Sequence, residues 1–303
     1  MGGSTNQSNT VERDSGLLTT TPAGWTRRVD LVFLVGSPRS GTTWLQAMLA
    51  GHPGVYTGPE THFFELFDRV GDKFAKLTKP NRHGMARYWS DDLFHHWMAD
   101  LFRGAISALP PPQNLPAVFL EKTPAHCLHA PFIIEVFPQA RFIHLVRDGR
   151  AVVASLLRLA GGKSNGWAPN RVSKAVDMWK RCVLAGQRIP SLVSDPSQFV
   201  ELRYEQLRRD PLDHVSRLFS WMGLKADPAL VRSIVEANAL ENVLKSDERF
   251  PTITRVMPEE KKFRDRFFGS AAVSADEIEL SRWQRARVEM RARGLLRKLG
   301  YLG

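Results

Sequence analysis

The sequence predicts an α/β fold in which a central parallel sheet is flanked by helices. Wholly apolar short runs, typical of strands buried on both faces, alternate along the chain with segments of helical periodicity. Such alternation implies parallel strands joined by right-handed helical crossovers. The 303 residues are 43% hydrophobic, which is the ordinary composition of a globular chain and supplies a large core.

The predicted elements begin at Asp30 and follow one another in order. Apolar runs predict strands over residues 31–35, 118–120, 142–146 and 199–202. Apolar residues three and four positions apart predict helices over residues 43–50, 151–159, 172–189, 211–222 and 277–299. The first of these helices stops at Gly51 and Pro53, which are residues that end helices.

The domain organisation follows from shifts in composition. Residues 1–28 carry Ser, Thr, Asn and Gln without an apolar segment, and we expect a flexible N-terminal tail there. Residues 29–303 are expected to form a single domain. Within it, residues 68–116 are polar and aromatic, and they predict a helical insertion over one edge of the sheet. We interpret this insertion either as a lid or acceptor-binding element or as a segment that only packs on the sheet.

The charge balance indicates an anionic partner. Lys and Arg number 42 and Asp and Glu 31, for a net charge of +11, which suits nucleic acid, an anionic membrane surface or a small anionic substrate. The densest basic stretch, residues 282–298, is expected to be a helix with a solvated basic face. The sequence has no zinc-finger spacing or RNA-binding aromatic signature, so a specific nucleic-acid partner is not expected.

The expected location is the cytoplasm. No run of about 18 apolar residues is present, so no transmembrane segment is predicted, and the N-terminal residues lack the apolar core of a secretory signal. Cys127 and Cys182 allow at most one disulfide, and nothing else points to an oxidising compartment.

The turn after the first strand is a predicted phosphate-binding loop. Residues 36–44 read GSPRSGTTW, which matches the P-loop pattern GxxxxGK[ST] except that Thr42 replaces the lysine. Unpaired N–H groups and the positive end of a helix dipole bind anions there, and Arg39 supplies a cation suited to phosphate oxygens. The missing lysine argues against a magnesium-dependent nucleotide triphosphatase.

A second strand, turn and helix follows at residues 142–155. Arg147 stands at the end of the strand, and Ser155 lies eight residues later, two turns into the helix. The two side chains are placed to converge on one anion. Two such anion sites suit a ligand that carries two separate phosphate groups.

These motifs resemble those of sulfotransferases that use 3′-phosphoadenosine 5′-phosphosulfate (PAPS). Residues 38–44 resemble the 5′-phosphosulfate loop of that family, with Arg39 as in its tyrosylprotein and many of its bacterial branches. Arg147 and Ser155 match its 3′-phosphate motif. The resemblance implies a P-loop-like fold, no metal, and in-line transfer of a sulfuryl group to a hydroxyl or, second, an amine. The implied donor-binding residues are Pro38, Arg39, Ser40, Gly41, Thr42, Thr43, Trp44, Arg147 and Ser155.

The segment Glu60-Thr61-His62-Phe63-Phe64 resembles the catalytic segment of glycan O-sulfotransferases, and Glu60 falls where tyrosylprotein sulfotransferases place their base. A hydroxyl that attacks sulfur must lose its proton, and a carboxylate near the loop can accept it. His62 either orients Glu60 or shares its work. A Glu60–His62 pair without catalytic duty is the alternative.

Three further segments complete the implied site. Lys122, in Glu-Lys-Thr-Pro, and Arg39 are the candidates for stabilising charge in the transition state. Tyr204 is expected beside the bound nucleotide, or else simply in the core. Arg264 or Arg266, in a basic Gly-containing segment, is expected to close over the 3′-phosphate.

Two other functions stay open on the sequence alone. One is a nucleotide-dependent kinase on a degenerate P-loop, and the other is a basic protein that binds polyanions. For a sulfotransferase, the acceptor remains a choice among glycans, tyrosine or other phenols, lipids and small metabolites.

Overall fold

The computed structural model describes residues 17–18, 28–77, 90–109, 116–161, 166–239 and 280–303. Most of the predicted tail and the middle of the predicted insertion lie outside these ranges. So do Arg264 and Arg266, which were candidates for closing the 3′-phosphate site.

The strands form a parallel sheet. The described strands are β1 (Leu17–Leu18), β2 (Arg28–Gly36), β3 (Val55–Thr57), β4 (Val118–Glu121), β5 (Arg141–Val146) and β6 (Phe199–Arg203). Five of them pair in parallel in the order β3-β4-β2-β5-β6. The short β1, within the predicted tail, pairs antiparallel with the start of β2.

Helices connect the strands and cover both faces of the sheet. They are α1 (Thr42–Ala50), α2 (Phe63–Leu77), α3 (Asp91–Ser107), α4 (Ala130–Val136), α5 (Gly149–Gly161), α6 (Val172–Gly186), α7 (Tyr204–Arg209), α8 (Pro211–Trp221), α9 (Pro228–Ala237) and α10 (Arg282–Lys298). Short 3₁₀ turns lie at Pro124–His129, Ile189–Ser191 and Pro196–Gln198.

The apolar run of β2 divides between two cores. Alternate side chains of a strand point to opposite faces. Phe33 and Val35 therefore pack with the aromatic cluster of α2 and α3, while Val32 and Leu34 pack with α1 and α8. All four side chains are fully buried. A strand covered on both faces needs apolar residues at every position, which explains the unbroken run in the sequence.

The predicted fold class is confirmed, and the differences in detail have local causes. All four predicted strands are present, but three-residue β3 is too short to be recognised as an apolar run. Helix α6 ends at Gly186 instead of residue 189, because Ile189 begins a separate 3₁₀ turn. Helix α10 begins at Arg282, where the Ser281 hydroxyl caps it by accepting the N–H of Gln284.

The carboxyl ends of the central strands meet at one edge of the sheet. Gly36, Glu121, Val146 and Arg203 end β2, β4, β5 and β6, and each is followed by a segment that carries predicted site residues. Ligands bind at this edge in open α/β sheets. No helix among the described residues combines the length and apolarity that a bilayer crossing requires.

Candidate active site

The loop between β2 and α1 has a tightly constrained backbone. Arg39 has φ 74° and Gly41 has φ 99°, both in the left-handed region. A Cβ atom on Gly41 would lie 2.6 Å from the ring of Tyr204. Only glycine fits both the conformation and the contact. Tyr204, which opens α7, therefore lies directly against the loop, and its ring is buried.

The two predicted phosphate motifs are in contact. Arg39 Nε donates a hydrogen bond to Ser155 Oγ at 3.0 Å, and Arg147 Nη1 donates to the Arg39 carbonyl at 3.3 Å. The Arg147 guanidinium also stacks on the Tyr204 ring, 4.2 Å from its centroid. Residues from the ends of β2, β5 and β6 thus form one cationic cluster.

The cationic cluster has the electrostatics of an anion site. Burial, with the neighbouring positive charges of Arg158 and Arg147, lowers the pKa of Arg39 to about 10, while Glu60 acts in the opposite direction. Arg39 still carries its charge at neutral pH. The Ser40 hydroxyl is buried and has no hydrogen-bond partner among the described residues. A bound phosphate or sulfate oxygen would satisfy Ser40 and relieve the repulsion among the arginines, so these residues fit an anionic nucleotide.

The remaining loop residues, at positions 38 and 42–44, differ in how deeply they are buried. Trp44 is buried, and its indole N–H donates to the Asn238 carbonyl at 2.9 Å, tying α1 to the end of α9. Thr42 is buried in the first turn of α1, whereas Pro38 and Thr43 are half-buried at the surface of the loop. Trp44 is therefore held by the core.

Glu60 and Lys122 meet beside the loop. Lys122 Nζ contacts Glu60 Oε1 directly and lies 3.5 Å from Thr43 Oγ1. The Lys122 side chain is 4% exposed, and that of Glu60 is 29% exposed. The predicted base and the predicted cation therefore form an ion pair with the carboxylate partly open to solvent.

His62 links Glu60 to a second carboxylate that the sequence did not indicate. His62 Nε2 lies 3.5 Å from Glu60 Oε2, and His62 Nδ1 bonds Glu65 Oε2 at 2.8 Å. The hydrogen bond with Glu65 raises the pKa of His62, against the smaller opposing effect of burial. The same bond lowers the pKa of Glu65. The three-residue spacing of His62 and Glu65 at the start of α2 was the available signal.

A buried carboxylate fixes this segment to β4. Glu121 accepts hydrogen bonds from the hydroxyls of Thr61 and Thr123, at 2.9 and 2.6 Å, and from His126 Nδ1 at 2.9 Å. Burial alone would raise the pKa of Glu121, but the charge and hydrogen bond of His126, together with the two hydroxyl hydrogen bonds, lower it overall. The Thr123 hydroxyl also accepts the Thr61 N–H at 3.1 Å. Glu121 and Thr123, which flank Lys122, thus hold Thr61, the residue next to Glu60.

Comparison with known proteins agrees with the family that the sequence motifs resemble. Residues 31–228 match the family model described as the sulfotransferase family. The chain is 35% identical over 251 residues to the omega-hydroxy-beta-dihydromenaquinone-9 sulfotransferase of Mycobacterium tuberculosis, with 64% of this chain and 62% of the relative covered. It is 31% identical over 134 residues to the protein-tyrosine sulfotransferase of Drosophila melanogaster, with 44% and 26% covered. The chain thus spans less than two thirds of these relatives.

Solved structures agree on the fold. A mouse sulfotransferase complexed with PAP superposes with a TM-score of 0.55 at 13% identity, covering 94% of this chain and 90% of that one. The sulfotransferase domain from the curacin biosynthetic pathway gives a TM-score of 0.51 at 18% identity, with 89% and 98% covered. Since the family model matches well over half of the sequence, this chain belongs to the sulfotransferase family.

Proposed function

We propose that this protein transfers the sulfuryl group of PAPS to a hydroxyl acceptor. The observation that carries the proposal is the meeting of Arg39, Arg147 and Ser155 in one cationic cluster, with the Glu60–Lys122 pair beside it. An anion site and a proton acceptor in adjacent positions are what sulfuryl transfer to a hydroxyl needs.

The donor is assigned to the cationic cluster and the loop. Residues 38–44, with the N-terminus of α1, would hold the 5′-phosphosulfate, and Arg147 with Ser155 would hold the 3′-phosphate. Tyr204 would lie beside the nucleotide, since its ring already packs on Gly41 and Arg147. PAPS supplies an activated sulfuryl group whose leaving group is a phosphate. Arg264 and Arg266 remain candidates for closing over the 3′-phosphate.

Four side chains are assigned to the transfer of one proton and to the stabilisation of the developing charge. Glu60 accepts the proton of the acceptor hydroxyl, because its carboxylate is the partly exposed member of the pair. His62, whose Nε2 lies 3.5 Å from Glu60 Oε2, orients the second oxygen of Glu60. Lys122 and Arg39 are fixed positive charges where negative charge grows on the reacting oxygens. Little covalent help is needed beyond such positioning.

The acceptor belongs to the hydroxyl class in this proposal. Relatives are named for tyrosine in proteins and for a hydroxylated menaquinone, which offer a phenol and an alcohol. Glycans and small metabolites also remain acceptors to test. The location of the protein in the cytoplasm remains a prediction.

The test combines donor binding with transfer. Calorimetry of 3′-phosphoadenosine 5′-phosphate, with metal chelated, should show binding, and PAPS with a panel of phenols, long-chain alcohols and glycans should yield a product heavier by one SO₃. Binding of magnesium-ATP in place of the PAPS product would instead indicate a kinase. Failure of the nucleotide to bind in any condition would overturn the proposed function.

A further inference from the structure

The outward face of α10 has no role in the proposed reaction. Its inward stripe, which includes Val288, Ala292 and Leu296, packs into the core that α5 and α6 share. The opposite side exposes six cations, here called the α10 basic face: Arg282, Arg287, Arg291, Arg293, Arg297 and Lys298. The helix has one carboxylate, Glu289, and that group turns inward to Arg150 Nη1 at 3.2 Å.

The stability of the helix explains only the cations of its last turn, Arg297 and Lys298, which the negative end of the helix dipole favours. Arg287 and Arg291 are four residues apart, as are Arg293 and Arg297, and like charges at this spacing destabilise a helix. Arg282 lies in the first turn, where the helix dipole disfavours a cation. Arg291 does pair with Asp177 of α6 at 2.9 Å, but this is an exposed ion pair of small energetic worth. The rest of the clustered charge gains little from the fold and therefore points to an anionic partner.

Two large apolar side chains project from the same side. Trp283 is 63% exposed and Met290 is 75% exposed, and they are seven residues, about two turns, apart. The guanidinium of Arg287 lies 5.0 Å from the centroid of the Trp283 ring. Tryptophan favours the interface between lipid headgroups and acyl chains, where its ring is apolar and its N–H stays polar.

The surface continues onto α6. The Arg291–Asp177 pair joins the two helices, and the neighbouring side chains again combine charge with exposed apolar groups. Lys174 and Arg181 are exposed there, with Leu184 at 45% and Trp167 at 51% exposure. A nucleic-acid duplex would pair its phosphates with the cations, but its bases stay stacked inside the helix and offer nothing to these apolar side chains. A single strand could stack a base on a tryptophan, but it would leave Met290 and Leu184 exposed. A bilayer offers anionic headgroups and an apolar layer beneath them.

We propose that the α10 basic face, with Trp283 and Met290, docks on a membrane surface that contains anionic lipids. The cations pair with the headgroups, and the two apolar side chains enter the interface. The helix lies along the membrane and does not cross it. The inference is independent of the proposed function, since it uses no residue of the donor site.

The test measures binding to lipid vesicles without donor or acceptor. Vesicles of phosphatidylcholine alone are compared with vesicles that also contain phosphatidylglycerol, by co-sedimentation at low and high salt. We expect the protein to bind the anionic vesicles and to lose that binding at high salt, because the attraction is screened. Trp283→Ser should weaken binding to the anionic vesicles at low salt, because it removes an apolar side chain without changing the net charge.

A matched pair of variants assigns the binding to this face. Each exposed cation contributes roughly fivefold to partition onto an anionic bilayer, so Arg287→Glu with Arg293→Glu should lower it by at least about 25-fold. Arg217→Glu with Arg232→Glu makes the same change in net charge on exposed positions of α8 and α9 and should lower it far less. Circular dichroism and binding of 3′-phosphoadenosine 5′-phosphate check that both variants are folded.

Three results would overturn the proposal. The first is equal binding to neutral and anionic vesicles, and the second is an equal loss of vesicle binding in the two charge-reversed double variants. The third is binding of duplex DNA or heparin without binding of anionic vesicles. The last result would identify the partner as a soluble polyanion.

Discussion

At the scale of single residues, the ion pair between Glu60 and Lys122 carries the proposed proton transfer. Glu60→Gln keeps the shape of the side chain and its contact with Lys122 but removes the proton acceptor. We expect turnover to fall by roughly 10²–10⁴-fold, which is the usual worth of a general base. Affinity for 3′-phosphoadenosine 5′-phosphate should stay near that of the parent, because Arg39, Arg147 and Ser155 do not depend on Glu60 for their contacts.

A surface substitution provides the control for Glu60. Glu135→Gln makes the same chemical change on α4, at a side chain that is 58% exposed, and turnover should not change. Near-normal turnover of a folded Glu60→Gln protein with its acceptor would remove Glu60 from the mechanism. Loss of both folding and nucleotide binding would instead show that the carboxylate has only a structural role.

His62 should make stability depend on pH. Its pKa is raised above the ordinary 6.5, mainly by Glu65, so its stabilising effect is full below pH 6.5 and disappears as pH rises through the raised value. The pKa of Glu65 is lowered from 4.5, so its share is present above pH 4.5 and lost as pH falls through the lowered value. The side chains are 57% and 35% exposed, which keeps the effect small.

The measurement is urea unfolding of the parent and of His62→Gln across pH. The difference in unfolding free energy should be largest between about pH 5 and pH 6.5 and shrink toward about pH 9. When His62→Gln is introduced into a Glu65→Gln protein, its effect on the unfolding free energy should lose most of this pH dependence, since the two groups act as a pair. A difference that is constant across pH would refute the His62–Glu65 link.

The sequence indicated the site residues that belong to contiguous motifs. It missed Glu65, a local neighbour of His62, and Glu121, which meets its partners across the fold. The loop at 36–44 is contiguous, and Arg147 and Ser155 are eight residues apart, so local pattern sufficed to select them. Glu121 and Thr61 are 60 residues apart and meet because β4 lies beside β3. That contact depends on strand order, which no local spacing encodes.

At the scale of elements, the packing of α6 on β5 depends on one glycine. Gly186 ends α6, and a Cβ atom there would lie 2.3 Å from the ring of His144. That ring is fully buried and bonded to Glu201 at 3.0 Å, so it cannot move aside cheaply. The end of α6 therefore approaches the sheet as closely as backbone allows.

Gly186→Ala should destabilise the protein even though alanine favours helices. The gain in helix propensity is at most about 1 kcal/mol, whereas overpacking a filled core costs about 1–3 kcal/mol. We expect a net loss of about 1–2 kcal/mol in the free energy of urea unfolding. Gly104→Ala in α3 should instead be neutral or stabilising, because no described atom outside the backbone of that helix lies within 4 Å of the added Cβ. A stabilised Gly186→Ala protein would mean that α6 stands farther from His144.

At the scale of the whole molecule, the candidate site joins elements that are distant in sequence. The cationic cluster draws on the ends of β2, β5 and β6, and Lys122 adds the end of β4. A ligand held by all of them binds the folded chain and not the unfolded one. Ligand binding and global unfolding must therefore be linked.

The linkage predicts a thermal shift that depends on the 3′-phosphate. At a concentration about 100 times its dissociation constant, 3′-phosphoadenosine 5′-phosphate should stabilise the protein by about 2.7 kcal/mol. For a domain of this size, that raises the melting temperature by roughly 4–5 °C. Arg147→Ala should weaken binding by about 2–3 kcal/mol through the loss of a buried, charge-assisted contact, and most of the shift should disappear at the same nucleotide concentration.

Adenosine 5′-phosphate distinguishes the loss of a contact with the 3′-phosphate from a general loss of nucleotide affinity. It lacks the 3′-phosphate, so Arg147→Ala should leave its weaker shift almost unchanged. Equal losses for the two nucleotides would place Arg147 elsewhere than at the 3′-phosphate. Because Arg147 also donates to the Arg39 carbonyl and stacks on Tyr204, the melting temperature without ligand must be compared first. Only the ligand-dependent part of the shift reports the contact with the nucleotide.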